Sequence, residues 1–283
     1  MKVLLAANPD RPTTASIIAE VRRIVAAHAE IVAEVLADST ELSANLHFDR
    51  LVAVGGDGTL ISQVRRILTR GIPLVGVNSG RLGFLAEFDL DGLENEAVSV
   101  FGPTPLIRQR MVMDVTVRRR DGEMVFHGVA VNDAVVSAGL PFRMIELQMG
   151  FSGQAGPDIA GDGVIVASPL GSTAYNVSAG GPIVHPDVEA LIVTPVCPHS
   201  LAFRPIVIPS HIDVTISVER ANPGTTLVLD GQTNVRLAAG DIVIVGRHQS
   251  VARLVGNSTV TYWQQLLSKM RWAAPPTYRD RGA

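Results

Sequence analysis

Residues 51–80 read LVAVGGDGTLISQVRRILTRGIPLVGVNSG, and this stretch predicts the fold of the amino-terminal part of the chain. Two short apolar runs, 51–54 and 74–77, have no polar face, which is typical of strands buried in a parallel sheet. Between them, residues 58–69 repeat apolar side chains at helical spacing. A strand, a glycine turn, a helix and a second strand in this order predict a βαβ unit.

The same alternation continues towards the amino terminus. Residues 3–6 and 31–36 predict two further buried strands, apolar on both faces. Residues 14–28 between them predict a helix that is capped by Thr13 or Thr14. We therefore expect an open parallel α/β domain over residues 1–103.

The sequence pattern changes after Pro103, where short β-rich segments are separated by Gly, Pro, Asn and Asp. Many short strands with turn signals predict a β-sandwich-like domain over residues 104–260. The predicted strands are 113–118, 124–131, 145–151, 163–167, 206–208, 214–218, 226–229 and 241–246. Residues 261–283 are expected to form a carboxyl-terminal helix, with a one-sided apolar stripe over 262–270, and a tail.

Composition and charge exclude several classes of function. A formal charge of −3 over 283 residues gives no basic field for a nucleic-acid backbone. No apolar run reaches the roughly 18 residues that a membrane span needs, so we expect a cytoplasmic protein with no membrane partner. The single cysteine, Cys197, is predicted to be a small buried apolar residue.

The two lysines, Lys2 and Lys269, lie near the two ends of the chain. Neither belongs to a P-loop or to a protein-kinase motif, both of which require a lysine at a defined place. Nucleotide chemistry in this chain is therefore expected to use backbone amides, carboxylates, arginine or a metal.

The first candidate site is the turn Gly55-Gly56-Asp57-Gly58-Thr59, which ends one predicted strand and opens the next helix. Glycines at a strand-to-helix turn let the backbone approach a ligand, and the free N–H groups of the helix attract phosphate. An aspartate repels an anion, so Asp57 indicates contact with a hydroxyl or with a metal ion that bridges phosphates. The alternative is an ordinary Asp-Gly turn, which is common in proteins.

The second candidate site follows the next strand and reads NSGRLGFL over residues 78–85. Open α/β sheets bind ligands at the carboxyl ends of their strands, so the two glycine turns are expected to share one rim. For Phe84 both core packing and cover of an adenine face remain open, whereas Leu85 is expected to pack in the core.

The third candidate site spans residues 161–182, GDGVIVASPLGSTAYNVSAGGP. Its small side chains let backbone groups reach a flat ligand, and Tyr175 can stack on that ligand or hydrogen-bond its edge. The alternative is a helix start capped by Ser172 or Thr173. Asn132-Asp133, at the end of a predicted strand, is by itself a plain turn dipeptide.

Together these stretches resemble the NAD kinase family. Its pattern is G-G-D-G-T, then N-x-G-x-L-G-F-L, then N-E, and then D-G, four intervening residues and T-P-x-G-S-T-A-Y-x-x-S-x-G-G-P. All four blocks occur here in this order between residues 54 and 182. The later stretches Cys197-Pro198-His199, Arg204-Pro205 and Asp230-Gly231-Gln232 are also similar to family stretches.

The resemblance implies a two-domain fold of the NAD kinase and diacylglycerol kinase type, with the active site between the domains. It also implies transfer of the γ-phosphate of ATP to the adenosine-ribose 2′-hydroxyl of NAD, which makes NADP. Mg²⁺ or another divalent cation would arrive with the phosphate donor, which is ATP or polyphosphate. The family resemblance further implies a homodimer or homotetramer.

The resemblance assigns roles residue by residue. Asp57 corresponds to the general base that takes the proton of the 2′-hydroxyl. The expected NAD-binding residues are Asp57, Gly58, Phe84, Asn132, Asp133, Arg143, Asp162, Thr173, Ala174, Tyr175, Asn176, Ser178 and Gln232. The expected phosphate-binding residues are Gly55, Gly56, Gly58 and Thr59, and no metal-ligating residue is expected.

Within the expected NAD site, Asn132 and Asp133 would hold the ribose and adenine. Asp162 would touch the far half of NAD, from the same or a neighbouring subunit. Arg143 and Gln232 match family contact positions in looser motifs.

The sequence departs from the family pattern at three positions. Asp133 replaces the usual glutamate and is one methylene shorter. Leu170 stands where threonine is usual, and Ala160 stands where arginine is frequent. None of these departures removes the expected base.

Two alternative functions remain open from the sequence. A lipid kinase shares the glycine turn at 55–59 but lacks the 78–85 and 171–175 blocks. A non-catalytic NAD(P)-binding regulator would keep the pocket without the base, although Asp57 is present.

Overall fold

A computed structural model of the protein describes residues 1–9, 12–38, 40–80 and 83–270. The elements, in chain order, are β1 (Lys2–Ala7), α1 (Pro12–His28), β2 (Glu30–Leu36), β3 (Arg50–Val54), α2 (Asp57–Ile67), β4 (Leu74–Val77), α3 (Leu90–Val100), β5 (Ile107–Arg118), β6 (Met124–Ala130), β7 (Asp133–Ser137), β8 (Ile145–Phe151), β9 (Gln154–Gly161), β10 (Gly163–Ala167), α4 (Tyr175–Ser178), β11 (Ala190–Val196), β12 (Ile206–Pro209), β13 (Val214–Arg220), β14 (Thr226–Leu229), β15 (Thr233–Arg236), β16 (Ile242–Val255) and α5 (Tyr262–Met270). Short 3-10 helices lie at Leu68–Arg70 and Leu170–Thr173.

The chain divides into two compact units. Of the described residues, those within 1–66, 72–108 and 253–270 form the first unit, and those within 67–71 and 109–252 form the second. The domain limits 1–103, 104–260 and 261–283 stay predictions.

The first unit is built on a parallel sheet with the strand order β2-β1-β3-β4. Residues Leu51 to Val54 of β3 pair in register with Leu74 to Val77 of β4, so the two strands end side by side. The turns that follow them therefore leave the same edge of the sheet, as the βαβ pattern predicts.

Helices cover both faces of this sheet. One apolar cluster joins α1 and α3 to alternate strand residues such as Val52, Val54, Val75 and Val77. On the other face, α2 lies so close that a Cβ on Gly76 would be 2.7 Å from Leu60 Cδ1. The predicted open α/β architecture is confirmed.

The second unit contains two antiparallel layers. One has the strand order β6-β5-β16-β13-β8-β9, and the other has the order β12-β11-β10-β7-β14-β15. A single apolar cluster takes buried residues from both layers, including Val115 and Ile216 from one and Val136, Val166 and Leu229 from the other. Two sheets that share one core form a sandwich, as predicted.

Several details of the sequence prediction are wrong. β2 has no fully buried residue, because it is the edge strand and only one side of it is paired. The strand predicted at 241–246 extends to Val255. Cys197 is exposed and has a φ of 45°, so it is not a core residue.

Other elements were not predicted at all: α3, β7, β9, β11 and β15. For α3 the signal was present, since Asp89 accepts a hydrogen bond from the Gly92 N–H and Leu93, Ala97 and Val100 are buried on one face. No helix within the described ranges is long and apolar enough to cross a membrane.

Candidate active site

The carboxylate of Asp57 joins the two glycine turns of the first unit. Asp57 is the first residue of α2, directly after the turn that ends β3. Its Oδ2 accepts a hydrogen bond from Phe84 N at 2.7 Å, and its Oδ1 accepts one from Leu85 N at 3.1 Å. The 78–85 turn thus fixes the rotamer of a half-buried carboxylate at the rim of the sheet.

The 78–85 turn owes its shape to Asn78 and to the lack of a side chain at Gly83. The buried Asn78 side chain donates to Gly80 O at 2.7 Å and accepts from Gly80 N at 3.1 Å. A Cβ on Gly83 would overlap the carboxylate of Asp57. Arg81 and Leu82 of this motif lie outside the described residues.

The predicted phosphate-binding residues surround the start of α2. Gly55 N donates to Val77 O at 2.9 Å, so this amide holds the neighbouring strands together. Gly58 is exposed in the first turn of α2, and Gly56 and Thr59 are half-buried. The exposed backbone of this turn is therefore at Gly58.

In the second unit, Asp230 organises the segment that contains Asn132 and Asp133. Its carboxylate accepts hydrogen bonds from the backbone N–H groups of Val131, Asn132 and Asp133 at 2.7–3.1 Å. Asp230 has a φ of 51°, a left-handed conformation that aspartate adopts more easily than most residues. Asn132 lies in the short connection between β6 and β7, after the predicted strand as expected, whereas Asp133 is the first residue of β7.

The role of Asp230 does not follow from the sequence motifs. Residues 230–232 are similar to a family stretch, but the sequence does not link Asp230 to residues 131–133, because a link across 97–99 residues has no local sequence signal. The local signal at this position is an Asp-Gly dipeptide between two apolar runs, which predicts a turn.

Asp133 is buried, with 5% of its surface exposed. Burial raises the pKa of Asp133 to about 7, the negative charge of Asp230 acts in the same direction, and the Tyr175 backbone N–H acts against both. The Asp133 carboxyl thus exchanges its proton near neutral pH.

This raised pKa predicts a pH dependence of stability. Because Asp133 binds a proton more tightly when folded, its contribution is greatest at low pH and is lost between about pH 4 and 7. We expect Asp133→Asn to reduce the fall in unfolding free energy between pH 5 and pH 8 by about 1–3 kcal/mol. Urea unfolding of both proteins at pH 5 and at pH 8 measures this difference in unfolding free energy.

Asp158→Asn is the matched control, because Asp158 is an exposed carboxylate of the same unit. It should leave the pH dependence as in the wild type. An equal pH dependence in Asp133→Asn and the wild type would show that Asp133 does not titrate in this range.

The 168–178 segment packs against Asn132 through its main chain. Ser168 Oγ donates to Val131 O at 2.6 Å, and Ser168 N donates to Asn132 O at 2.9 Å. A Cβ on Gly171 would overlap the backbone of Asn132. Gly171 of the third motif therefore permits close contact between the 168–178 segment and the backbone of Asn132.

The residues after this turn have different surroundings. Tyr175 is 48% exposed and begins α4, whereas Asn176 is fully buried. Asn176 Nδ2 donates to Ser172 O and Pro182 O, both at 3.0 Å, and its Oδ1 accepts from Thr194 at 2.6 Å. Asn176 thus holds the loop together, and Tyr175 presents an aromatic ring to solvent.

The remaining predicted contact residues are on the surface of the second unit, apart from the half-buried Thr173 and Ala174. Ser178, Asp162, Arg143 and Gln232 are exposed. Neither Ser172 nor Thr173 caps a helix, because the helix that follows has Ala174 at its cap position and no side-chain cap bond. The predicted capping role is wrong.

The described residues contain no group of three or more His, Cys, Asp or Glu side chains placed to hold a metal ion. A divalent cation bound through phosphate oxygens and water needs no such group.

Family models match both halves of the chain. The ATP-NAD kinase N-terminal domain matches residues 35–101, and the ATP-NAD kinase C-terminal domain matches residues 131–256. The NAD kinase of Geobacter metallireducens is 42% identical over 224 residues, which is 79% of each chain.

The chain belongs to the NAD kinase family.

Further relatives agree with this assignment. The NAD kinase of Aquifex aeolicus is 38% identical over 80% of this chain and 82% of its own. The solved structure of an Archaeoglobus fulgidus NAD kinase in complex with ATP has a TM-score of 0.74 and 25% identity, over 96% of this chain and 99% of its own. Yeast NADH kinase complexed with NADH shares the fold, with a TM-score of 0.86 and 22% identity, over 100% of this chain and 90% of its own.

The predicted family, fold class and enzyme class are therefore confirmed: the protein is a phosphotransferase of the NAD kinase type. These comparisons give no support to a lipid kinase or to a non-catalytic regulator.

Proposed function

We propose that the protein transfers the γ-phosphate of ATP to the 2′-hydroxyl of the adenosine ribose of NAD, with Asp57 as the general base. The observation that carries the proposal is the Asp57 carboxylate, held by the backbone N–H groups of Phe84 and Leu85 at the mouth of the glycine turn. Membership of the NAD kinase family supports the reaction, and the ATP complex of the Archaeoglobus enzyme supports the donor.

Phosphoryl transfer depends more on the positioning of the reacting groups than on the basicity of the residue that accepts the proton. Phosphoryl transfer passes through a loose transition state, so orientation and charge stabilisation supply most of the rate. A ribose hydroxyl is far less acidic than a carboxylic acid, so its proton moves to Asp57 only as the new oxygen–phosphorus bond forms, while the bond from the γ-phosphorus to the bridging oxygen breaks and ADP leaves. A carboxylate fixed by two N–H groups can accept that proton without rearranging.

The N-terminal end of α2 suits the phosphate side of the reaction. The first N–H groups of a helix have no acceptor within the helix, and the helix dipole favours an anion there. The exposed Gly58 lets a phosphate approach the backbone closely. We assign Gly56, Gly58 and Thr59 to the donor phosphates, and Gly55 to the link between β3 and β4.

Mg²⁺ or another divalent cation belongs to this reaction as the partner of the donor phosphates. When bound, it neutralises phosphate charge. Its ligands would be phosphate oxygens and water, so no side chain of this chain is assigned to it.

We assign the dinucleotide to the surface formed by Asn132, Asp133, Thr173, Ala174 and Tyr175. The buried Asp133 carboxyl is one polar group that can meet a ribose or an adenine edge. The exposed Tyr175 ring offers a stacking face. Phe84, Arg143, Asp162, Ser178 and Gln232 stay predicted NAD contacts, and a homodimer or homotetramer stays a predicted assembly.

A direct assay tests the proposed reaction. Purified protein with NAD, ATP and Mg²⁺ is expected to produce NADP, and replacing ATP with polyphosphate or NAD with NADH defines the donor and acceptor. Saturable binding of NAD without any product would instead support the non-catalytic regulator.

The role of Tyr175 gives a second prediction. Base–aromatic stacking is worth about 1–3 kcal/mol, so Tyr175→Ala is expected to weaken NAD binding by about 5- to 150-fold. Tyr175→Phe keeps the ring and should remain within about threefold of the wild type. Isothermal titration with NAD measures both.

The matched control is Val188→Ala, another half-exposed apolar side chain of the same unit. It should not change NAD affinity. If Tyr175→Ala also leaves the affinity unchanged, the ring does not stack on the dinucleotide.

A further inference from the structure

The buried side of α5 carries two nitrogen donors. Gln265 Nε2 and Lys269 Nζ, one helical turn apart, are both buried and have no hydrogen-bond acceptor among the described residues. The apolar residues of the predicted stripe differ in burial. Leu266 is buried, whereas Trp263 and Leu267 are 58% and 50% exposed. The apolar stripe predicted for this helix is therefore only partly its packing face.

Lys269 reaches the turn that holds Asp57. Its Nζ lies 4.7 Å from the centre of the Phe84 ring. The backbone N–H of that same Phe84 donates to Asp57 Oδ2. A lysine that the sequence places near the end of the chain is thus part of the active-site surroundings within the first unit.

The electrostatics of Lys269 follow from this position. Burial lowers the pKa of Lys269 to about 8, and the negative charges of Asp57 and Glu87 act in the opposite direction. The ammonium is still mainly protonated at neutral pH, and contact with the Phe84 ring face compensates only part of its lost hydration.

The two nearby carboxylates are already engaged. Asp57 accepts from the backbone of Phe84 and Leu85. Glu87 accepts from Arg108 Nε at 2.8 Å and from the Asn257 N–H at 2.7 Å. Since neither of them hydrogen-bonds Lys269 Nζ, an acceptor supplied by a ligand would satisfy this donor.

We propose that Lys269 is a phosphate-binding residue, which donates a hydrogen bond to an oxygen of the phosphate donor beside Asp57. The inference rests on the proposed function, because it takes Asp57 as the place of transfer. A general base for the attacking hydroxyl must lie next to the phosphorus that is attacked, so a cation beside Asp57 meets the transferred phosphate first. Lys269 then supplies the lysine that the glycine turn lacks.

Kinetics of purified full-length variants provide the first test. Lys269→Met keeps a long apolar side chain against Phe84 but removes the charge, and Lys269→Arg keeps the charge. We expect Lys269→Met to raise the KM for ATP at least tenfold and to leave the KM for NAD within twofold. Lys269→Arg should recover most of the ATP affinity.

Lys2→Met is the matched control, because Lys2 is the only other lysine and is exposed. Its kinetic constants should equal those of the wild type. A parallel rise of both KM values in Lys269→Met, or no rise at all, would overturn the assignment to the phosphate donor.

Spectroscopy provides a second test that needs no turnover. With only two lysines, protein labelled with ¹³C at lysine Cε gives two side-chain signals, which Lys269→Arg assigns. We expect ATP and inorganic triphosphate, each added alone, to shift the Lys269 signal and to raise the pKa of Lys269 from about 8 towards the ordinary lysine value of about 10.4. The Lys2 signal should not move.

Adding each ligand alone distinguishes the phosphates of the donor from the diphosphate of NAD. A shift of the Lys269 signal with NAD alone would assign the lysine to the dinucleotide diphosphate and overturn the proposal, as would no shift with any of the three ligands. Failure of the proposed function looks different, because a protein that makes no NADP would still show the triphosphate-induced shift if Lys269 binds phosphate.

Discussion

Asp57→Asn is expected to lower kcat by about 10²- to 10⁴-fold while NAD still binds. An amide cannot take the proton of the ribose hydroxyl, so the reaction loses its general base. In addition, the introduced amide would offer one oxygen to the two N–H groups that the carboxylate now satisfies, those of Phe84 and Leu85. Steady-state kinetics measure the fall in kcat, and titration with NAD measures whether the dinucleotide still binds.

Asp89→Asn is the matched control for the structural part of this effect. Asp89 also accepts a backbone hydrogen bond at a helix start, from Gly92 N at 2.8 Å, and it is exposed. We expect this variant to lose a little stability and no activity. Wild-type turnover in Asp57→Asn would exclude Asp57 as the base.

Gly83→Ala is expected to reduce kcat/KM by about 100-fold or more, although no reacting group is removed. The added Cβ would overlap the Asp57 carboxylate, so either that carboxylate or the 78–85 turn must shift. A displacement of about 1 Å in a reacting group can cost about 100-fold in rate. Kinetics with ATP and NAD measure the loss, and a thermal melt shows that the chain still folds.

The same turn offers a control for Gly83→Ala. Among the described residues, nothing lies within 4 Å of a Cβ built on Gly80, so Gly80→Ala should keep nearly full activity. A double-mutant cycle adds a sharper criterion, since Gly83→Ala should cost little in a chain that already carries Asp57→Asn. Fully additive losses would mean that Gly83 does not act through Asp57.

Much of the fold could be predicted from local pattern. The strand 74–77 and the helix start after Gly56 follow from apolar spacing and glycine placement, because side-chain period and turn chemistry are local properties. Pattern failed for β2, where apolar residues lie at an edge. Whether a strand has one neighbour or two depends on the order of strands in the sheet, which sequence spacing does not state.

The candidate site shows the same division. The motifs identified Asp57, Tyr175 and the Asn132-Asp133 pair as residues of interest, and their catalytic and binding roles stay predictions. The motifs did not show that Asn176 is buried with its amide bonded inside the loop, although it lies between two motif residues. Burial of a polar side chain depends on what packs over it.

The sequence by itself determined the alternation of strands and helices, the β-rich second half, the family and the position of its carboxylate, because each of these is written in neighbouring residues. Only the tertiary structure placed the Asp230 carboxylate on the N–H groups of residues 131–133 and the Lys269 ammonium against Phe84. Both links join residues that are about 100 or more positions apart. The physical reason is that hydrogen bonding and burial depend on distance in space, which the chain sets only after its sheets have paired and packed.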